Sequence, residues 1–101
     1  MGMVKRFDVY MCENHGKVRP CVVLSPDEMN NTLPYALVAP ITSHERSFPT
    51  RVGIRIKGKQ GQIALDLIRP ASQVLLKEKI GTLPNGTCLE VSDILKSLFS
   101  I

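Results

Sequence analysis

The chain has 101 residues, of which 44% are hydrophobic, and this length suits one domain with a single hydrophobic core over residues 1–101. Thirteen lysines and arginines against nine acidic residues give a formal charge of +4, which favours a polyanionic partner but is shared by many other proteins. The apolar runs are too short to span a membrane, and three cysteines without CxxC spacing exclude a zinc knuckle or a disulfide framework. We therefore expect a soluble protein of the reducing cytoplasm. Met1 and Gly2 precede a second methionine and are expected to be a cloning remnant.

The first third of the chain alternates apolar and polar residues, as half-buried strands do. Residues 5–11 predict the first strand, and the β-branched run "RPCVVLS" predicts the second. The segment "SPDE" that follows predicts a short helix over residues 26–30, with Ser25 as its cap and Glu28 closing a capping box.

The rest of the chain predicts further strands and then one helix. "PYALVAPIT" predicts the third strand, and residues 50–56 and 62–69 predict a hairpin of the fourth and fifth strands. A weaker strand is expected over residues 77–83, and a change of period predicts a helix over residues 86–99. This period places Val91, Ile94, Leu95 and Leu98 on one face of the helix. These elements favour a mainly β fold with a C-terminal helix (α+β), in the form of a small, strongly bent antiparallel SH3-like barrel.

A dense polar set precedes the second strand. We expect Glu13, Asn14, His15 and Lys17 to lie in a loop that ends at Arg19. The following proline holds Arg19 extended, so its guanidinium leaves from a stiff position that suits a phosphate. A salt bridge at the barrel rim is the alternative interpretation of this arginine.

A second polar set, "TSHE", ends the third strand. Neighbours on an extended chain point to opposite faces, so Ser43 and His44 do not form a hydrolase triad. Thr42 either contacts a ligand or satisfies nearby backbone groups.

The third feature is Asp66, which interrupts an apolar strand. From Arg46 to Arg69 there are six basic residues, and Asp66 is the one acid among them. It is either a hydrogen-bonded structural acid or a functional one. The basic patch lacks the interleaved aromatic residues of a base-stacking platform. No Cys, His or carboxylate set has metal-ligand spacing, so we expect no metal and no cofactor.

The order of these motifs resembles that of the MazF/PemK family of toxin endoribonucleases, from Lys5 to Phe99. An R-P before the second strand together with a T-S ending the third strand carries the resemblance. It implies a bent barrel like that of the gyrase poison CcdB, a homodimer, and metal-independent cleavage of single-stranded RNA at short sequences. It also implies neutralisation by a co-expressed antitoxin of the MazE/PemI type with an acidic C-terminal segment.

The resemblance also implies roles for individual residues. Arg19 and Thr42 match the family's catalytic pair, and Asp66 and Arg69 match its D-x-x-R stretch. The basic residue that some relatives place two before this aspartate is Ala64 here, so their acid–base pair does not carry over.

RNA contacts are expected from the residues around this pair. They are His15, Lys17, Ser43, Asp66 and Arg69. Asp66 and His15 both stay open as proton acceptors for attack by the RNA 2′-hydroxyl. The connection between the first two strands is shorter than in relatives, which puts in doubt any contact that depends on a long flap.

Two other functions would use the same fold. A CcdB-like gyrase poison relies on a tryptophan near its C-terminus, and this chain has no tryptophan. A non-enzymatic, SH3-like nucleic-acid-binding module would explain the basic face. It would not explain why Arg19 and Thr42 both stand at strand boundaries.

Overall fold

The structure is a computed structural model that describes residues 4–100, so the expected remnant at Met1 and Gly2 lies outside the described residues. Its seven strands and two α-helices, together with two 3₁₀ turns (Leu65–Leu67 and Gln73–Leu75), follow one another along these residues. The bounds are β1 Asp8–Asn14, β2 Lys17–Val23, α1 Asp27–Thr32, β3 Tyr35–Thr42, β4 Arg51–Ile56, β5 Lys59–Ala64, β6 Arg69–Ser72, β7 Leu76–Thr82 and α2 Asn85–Leu98.

The strands form an antiparallel sheet with the order β4-β5-β3-β2-β1-β7, and β6 also pairs with β3. Strand β3 is the corner of this sheet, because residues 35–38 pair with β6 whereas Ile41 and Thr42 pair with β5. Pro40 lies between these two pairings and has no N–H to donate. The 3₁₀ turn Leu65–Leu67 carries the chain from β5 to β6 around this corner. The prediction of a bent antiparallel β fold with a C-terminal helix is confirmed.

Strand β2 is buried on both faces, which explains its continuous apolar run. Val22 faces a core cluster that includes Val9, Ile63 and Val91, whereas its neighbours Cys21 and Val23 face a second cluster. Burying a valine-sized side chain contributes about 1.5–3 kcal/mol relative to leaving it in water. The two clusters therefore hold β2 firmly up to the point at which it becomes exposed, near Arg19.

Strands β1 and β2 form a hairpin rather than the expected loop. The strands continue to Asn14 and from Lys17, and His15 and Gly16 make the turn with φ of 52° and 78°. Positive φ at both turn residues is what a two-residue hairpin connection requires. The predicted first strand starts three residues late, at Asp8, because Phe7 has a left-handed φ of 72°. As a result Lys17 and Arg19 project from a strand.

The predicted capping box at Ser25 is wrong. Helix α1 begins at Asp27 without a side-chain cap, and the Ser25 hydroxyl donates instead to Asn30 Oδ1. Ser25 Oγ also accepts the Leu37 N–H at 3.0 Å, so buried Ser25 connects helix α1 to β3.

The closing helix α2 lies within one residue of the predicted bounds. Val91 is buried, and Ile94 and Leu95 pack against the first core cluster. Leu98, which was placed on the same helical face, lies near the end of α2 and is 41% exposed.

Candidate active site

Arg19 and Thr42 both line one groove, beyond the point where the pairing of β2 with β3 ends. The pairing of these strands ends at Cys21 with Pro40. The same register extended by two residues would set Arg19 opposite Thr42. Neither Pro20 nor Pro40 has an N–H for the ladder. The two strand ends therefore separate here and leave their side chains accessible.

One groove beside Arg19, which we call the basic groove, has a volume of about 730 Å³. It carries the cations Lys17, Arg19 and Arg69, together with His15, and Asp66 is the only acid among its lining residues. Within residues 4–100 the ion pairs join Arg51 to Asp66 and Lys79 to Asp8, so the three groove cations are unpaired there. Its other lining residues are Cys12, Asn14, Pro20, Cys21, Pro40, Leu67 and Ile68.

The groove on the other side of Arg19, which we call the hydroxyl groove, has a volume of about 350 Å³. It contains Thr42 and Ser43. Thr42 Oγ1 accepts the backbone N–H of His44 at 3.1 Å, so its hydroxyl proton is left to donate into the groove. The other residues that line it are Met11, Arg19, Pro20, Ile41, Ile56, Lys57, Lys59, Gln60, Gly61 and Ile80.

Asp66 lies in the 3₁₀ turn Leu65–Leu67 and not on the face of a strand, which corrects the prediction of a fifth strand running to residue 69. Arg51 donates a hydrogen bond to each oxygen of the Asp66 carboxylate, from Nε to Oδ1 at 2.8 Å and from Nη2 to Oδ2 at 3.2 Å. Thr50 Oγ1 donates to Oδ1 at 2.9 Å. The hydrogen bonds from Arg51, and secondly that from Thr50, lower the pKa of Asp66 to about 2. Such a carboxylate is a weak proton acceptor.

Arg69 contacts a thiol instead of an acid. Its Nη2 lies 3.8 Å from Sγ of buried Cys12, and Cys21 is buried in the same core cluster. Burial raises the pKa of the Cys21 thiol, and the neighbouring Cys12 raises it further. Within residues 4–100 the Arg69 guanidinium forms no ion pair, and it lines the groove with its charge unpaired.

The structure divides the predicted site residues between the two grooves. His15, Lys17, Asp66 and Arg69 line the basic groove, Thr42 and Ser43 line the hydroxyl groove, and Arg19 lines both. Sequence reasoning missed Lys57 and Lys59, which flank the tip of the β4–β5 hairpin, although "KGK" marks that turn in the sequence. It also missed the partnership of Arg51 with Asp66, for which the alternation "TRVGIRI" offers no signal.

Two further properties concern only part of the chain. Residues 4–100 contain no group of three or more His, Cys, Asp or Glu side chains arranged to hold a metal ion. Among the residues described, no helix has the length and apolar character needed to cross a membrane.

Solved structures with the same fold were found. An endoribonuclease in complex with its cognate antitoxin, from Mycobacterial species, matches with a TM-score of 0.87 at 19% identity over 97% of this chain and 96% of that chain. A MazE–MazF structure from Deinococcus radiodurans matches with a TM-score of 0.86 at 23% identity over 100% of this chain and 99% of that chain. The chain therefore shares the fold of these proteins, a small, bent antiparallel β-sheet with a C-terminal helix.

The family follows from the sequence comparisons. Residues 5–99 match the family described as PemK-like, MazF-like toxin of type II toxin–antitoxin system. The Endoribonuclease MazF of Staphylococcus epidermidis is 33% identical over 106 residues, which cover 92% of this chain and 88% of that protein. The chain belongs to the PemK-like, MazF-like toxin family, and the prediction of a toxin endoribonuclease is confirmed.

Proposed function

We propose that this endoribonuclease cleaves single-stranded RNA, including mRNA, at short specific sequences, with Arg19 and Thr42 as its catalytic pair. The observation that carries the proposal is the position of Arg19, which lines both grooves and shares the hydroxyl groove with Thr42. A single-stranded RNA bound across Arg19 would place one phosphate at this residue and the neighbouring nucleotides in the two grooves.

The reaction uses the substrate's own 2′-hydroxyl. This oxygen forms a bond to the adjacent phosphorus while the bond from phosphorus to the 5′-oxygen breaks, which leaves a 2′,3′-cyclic phosphate and a 5′-hydroxyl. The 2′-hydroxyl proton goes to a base, and the leaving 5′-oxygen takes up a proton. Arg19 donates two hydrogen bonds to the phosphate oxygens as their negative charge increases, and Thr42 donates a third. Binding across Arg19 and the two grooves aligns the RNA strand for in-line attack.

The remaining predicted residues hold the strand. Lys17 and Arg69 bind phosphates in the basic groove, and Ser43 contacts the nucleotide in the hydroxyl groove. Of the two candidates for the proton acceptor, Asp66 is engaged by Arg51 and stays ionised far below neutral pH. His15, which is exposed at the hairpin turn, is therefore the candidate that we retain.

The partners follow from the charge of the site. A disordered antitoxin segment rich in Asp and Glu would compete with RNA for Lys17, Arg19 and Arg69, and its binding would weaken with salt. Relatives whose structures include a cognate antitoxin support this proposal. We further propose that residues 1–101 act as one domain, that the toxin is a homodimer, and that it works in the cytoplasm, where mRNA is translated.

The proposal is tested by incubating the purified protein with a long RNA and mapping the ends of the fragments. We expect cleavage at one short recurring sequence, and we expect it to persist in EDTA, because attack by the 2′-hydroxyl needs no metal-bound water. An Arg19→Ala preparation serves as the control for a contaminating ribonuclease. Cuts at every sequence, or equal activity in the control, would reject the proposal.

A further inference from the structure

Arg51 reaches the basic groove only through Asp66. It is the first residue of β4 and is not among the residues lining either groove, and its side chain is only 7% exposed. The Phe48 ring lies 5.1 Å from the guanidinium carbon, and the Thr50 carbonyl accepts the Leu65 N–H at 3.1 Å. These contacts hold the Arg51 side chain beside the 3₁₀ turn Leu65–Leu67, where it donates its hydrogen bonds to Asp66.

The partner that Asp66 takes is informative because three other cations line the same groove as this carboxylate. Arg69 follows it by three residues and lines the same groove, as do Arg19 and Lys17. Within residues 4–100 none of these three forms an ion pair, whereas Arg51, which lies outside the groove, occupies both carboxylate oxygens. Freed from Arg51, this carboxylate would repel RNA phosphates or would pair with one of the groove cations. Either result would weaken the binding of a polyanion.

We propose that Arg51 is a positioning residue for RNA binding, which masks Asp66 so that the cations of the basic groove stay free for RNA phosphates. The inference rests on the proposed function, since it assumes that RNA occupies this groove. It assigns Asp66 no contact with the substrate. A merely structural salt bridge would stabilise the corner of the sheet without affecting the charge that RNA meets.

The test compares the RNA affinities of Arg51→Gln, Asp66→Asn and the double variant. The ligand is a fluorescent single-stranded 2′-O-methyl RNA that contains the mapped cleavage sequence and cannot be cut, and thermal unfolding is recorded in parallel. We expect Arg51→Gln to raise the dissociation constant about tenfold. Adding Asp66→Asn should restore affinity to within about twofold of the wild type, because the carboxylate that Arg51 masked is gone.

A matched control removes a carboxylate elsewhere. Glu90 is exposed on α2 and lines neither groove, so Arg51→Gln with Glu90→Gln should bind RNA as weakly as Arg51→Gln alone. Arg51→Gln and the Arg51→Gln, Asp66→Asn double variant both lack the ion pair and should unfold at similar temperatures, so that their difference in RNA affinity is not a difference in stability. Unchanged RNA affinity in Arg51→Gln, or a loss that Asp66→Asn does not restore, would overturn the inference alone. A wild type that neither binds nor cleaves RNA would overturn the proposed function with it.

Discussion

The two grooves that meet at Arg19 differ in how they are lined. Each groove is lined by three lysine or arginine side chains, of which Arg19 is shared. The basic groove adds His15 and Asp66, whereas the hydroxyl groove adds the hydroxyls of Thr42 and Ser43. Both grooves are therefore suited to a polyanion, and only the second also offers hydroxyl donors. In our proposal the basic groove contributes to binding, the hydroxyl groove contributes also to catalysis, and Arg19 contributes to both.

Arg19→Ala is expected to have the largest effect, because the residue belongs to both grooves. In our proposal the guanidinium stabilises charge that appears only in the transition state, so cleavage should fall about 10²-fold or more while RNA affinity falls much less. Measuring kcat and KM on a single-site RNA separates the two effects. A folded variant that cuts at the wild-type rate would show that Arg19 is not the catalytic residue.

Thr42→Val sharpens the comparison within the hydroxyl groove. The substitution keeps the shape but removes the hydroxyl that donates to the phosphate, so kcat should fall about tenfold to 10²-fold with little change in KM. Thr42→Ser is the matched control, since it retains the hydroxyl and should keep most of the activity. Equal losses in the two variants would assign the effect to packing and not to the hydroxyl.

Lys17→Gln tests the basic groove in isolation. The loss of one phosphate contact should weaken binding to all RNA sequences alike and lower the slope of log affinity against log salt by about 0.7. kcat should stay close to that of the wild type. Lys96→Gln, in the last turn of α2 and away from both grooves, is the control. An Lys17→Gln variant that kept its affinity but changed its preferred cleavage sequence would contradict a purely backbone role for this groove.

The smallest expected effect concerns stability in acid. Arg51 lowers the pKa of Asp66 to about 2 from an ordinary value of 3.8, so the folded chain binds this proton less readily than the unfolded chain. The stabilising contribution is therefore complete above about pH 4 and disappears as the pH falls toward about 2. Denaturant titrations of the wild type and Asp66→Asn should show different free energies of unfolding near neutral pH and similar ones near pH 2. A difference that is the same at both pH values would contradict the shift.

Local pattern was sufficient to predict most strands and the closing helix, whereas the pairing of Arg19 with Thr42 came from the family resemblance and stays a prediction. Period-2 alternation and β-branched runs are properties of neighbouring residues, and the R-P and T-S motifs stand beside them. The environment of Asp66 could not be predicted in this way. Its 3₁₀ turn exists because β5 and β6 pair with successive parts of the same edge of β3, and its partner Arg51 is 15 residues away in sequence. Both depend on the tertiary fold, which overrides the alternation of "QIALDLIR".

The same limitation explains the hairpin of β1 and β2. "NHGK" was predicted as part of a loop because its residues are polar, whereas a two-residue turn needs only that both central residues accept positive φ. Gly16 accepts it readily, and His15 does so at some cost. Polarity alone therefore concealed a pair of strands that carries Lys17 and Arg19 to the grooves.

Placing a single deoxynucleotide on the 5′ side of the mapped cut tests the central claim most directly. If Arg19 and Thr42 assist attack by the substrate's own 2′-hydroxyl, removal of this one oxygen abolishes cleavage at that bond while the oligonucleotide still binds. Mass spectrometry of the all-RNA substrate should then show a 2′,3′-cyclic phosphate on one fragment and a 5′-hydroxyl on the other. Cleavage of the deoxy-substituted RNA at the same bond, without a cyclic end, would mean that water is the nucleophile and would contradict the account.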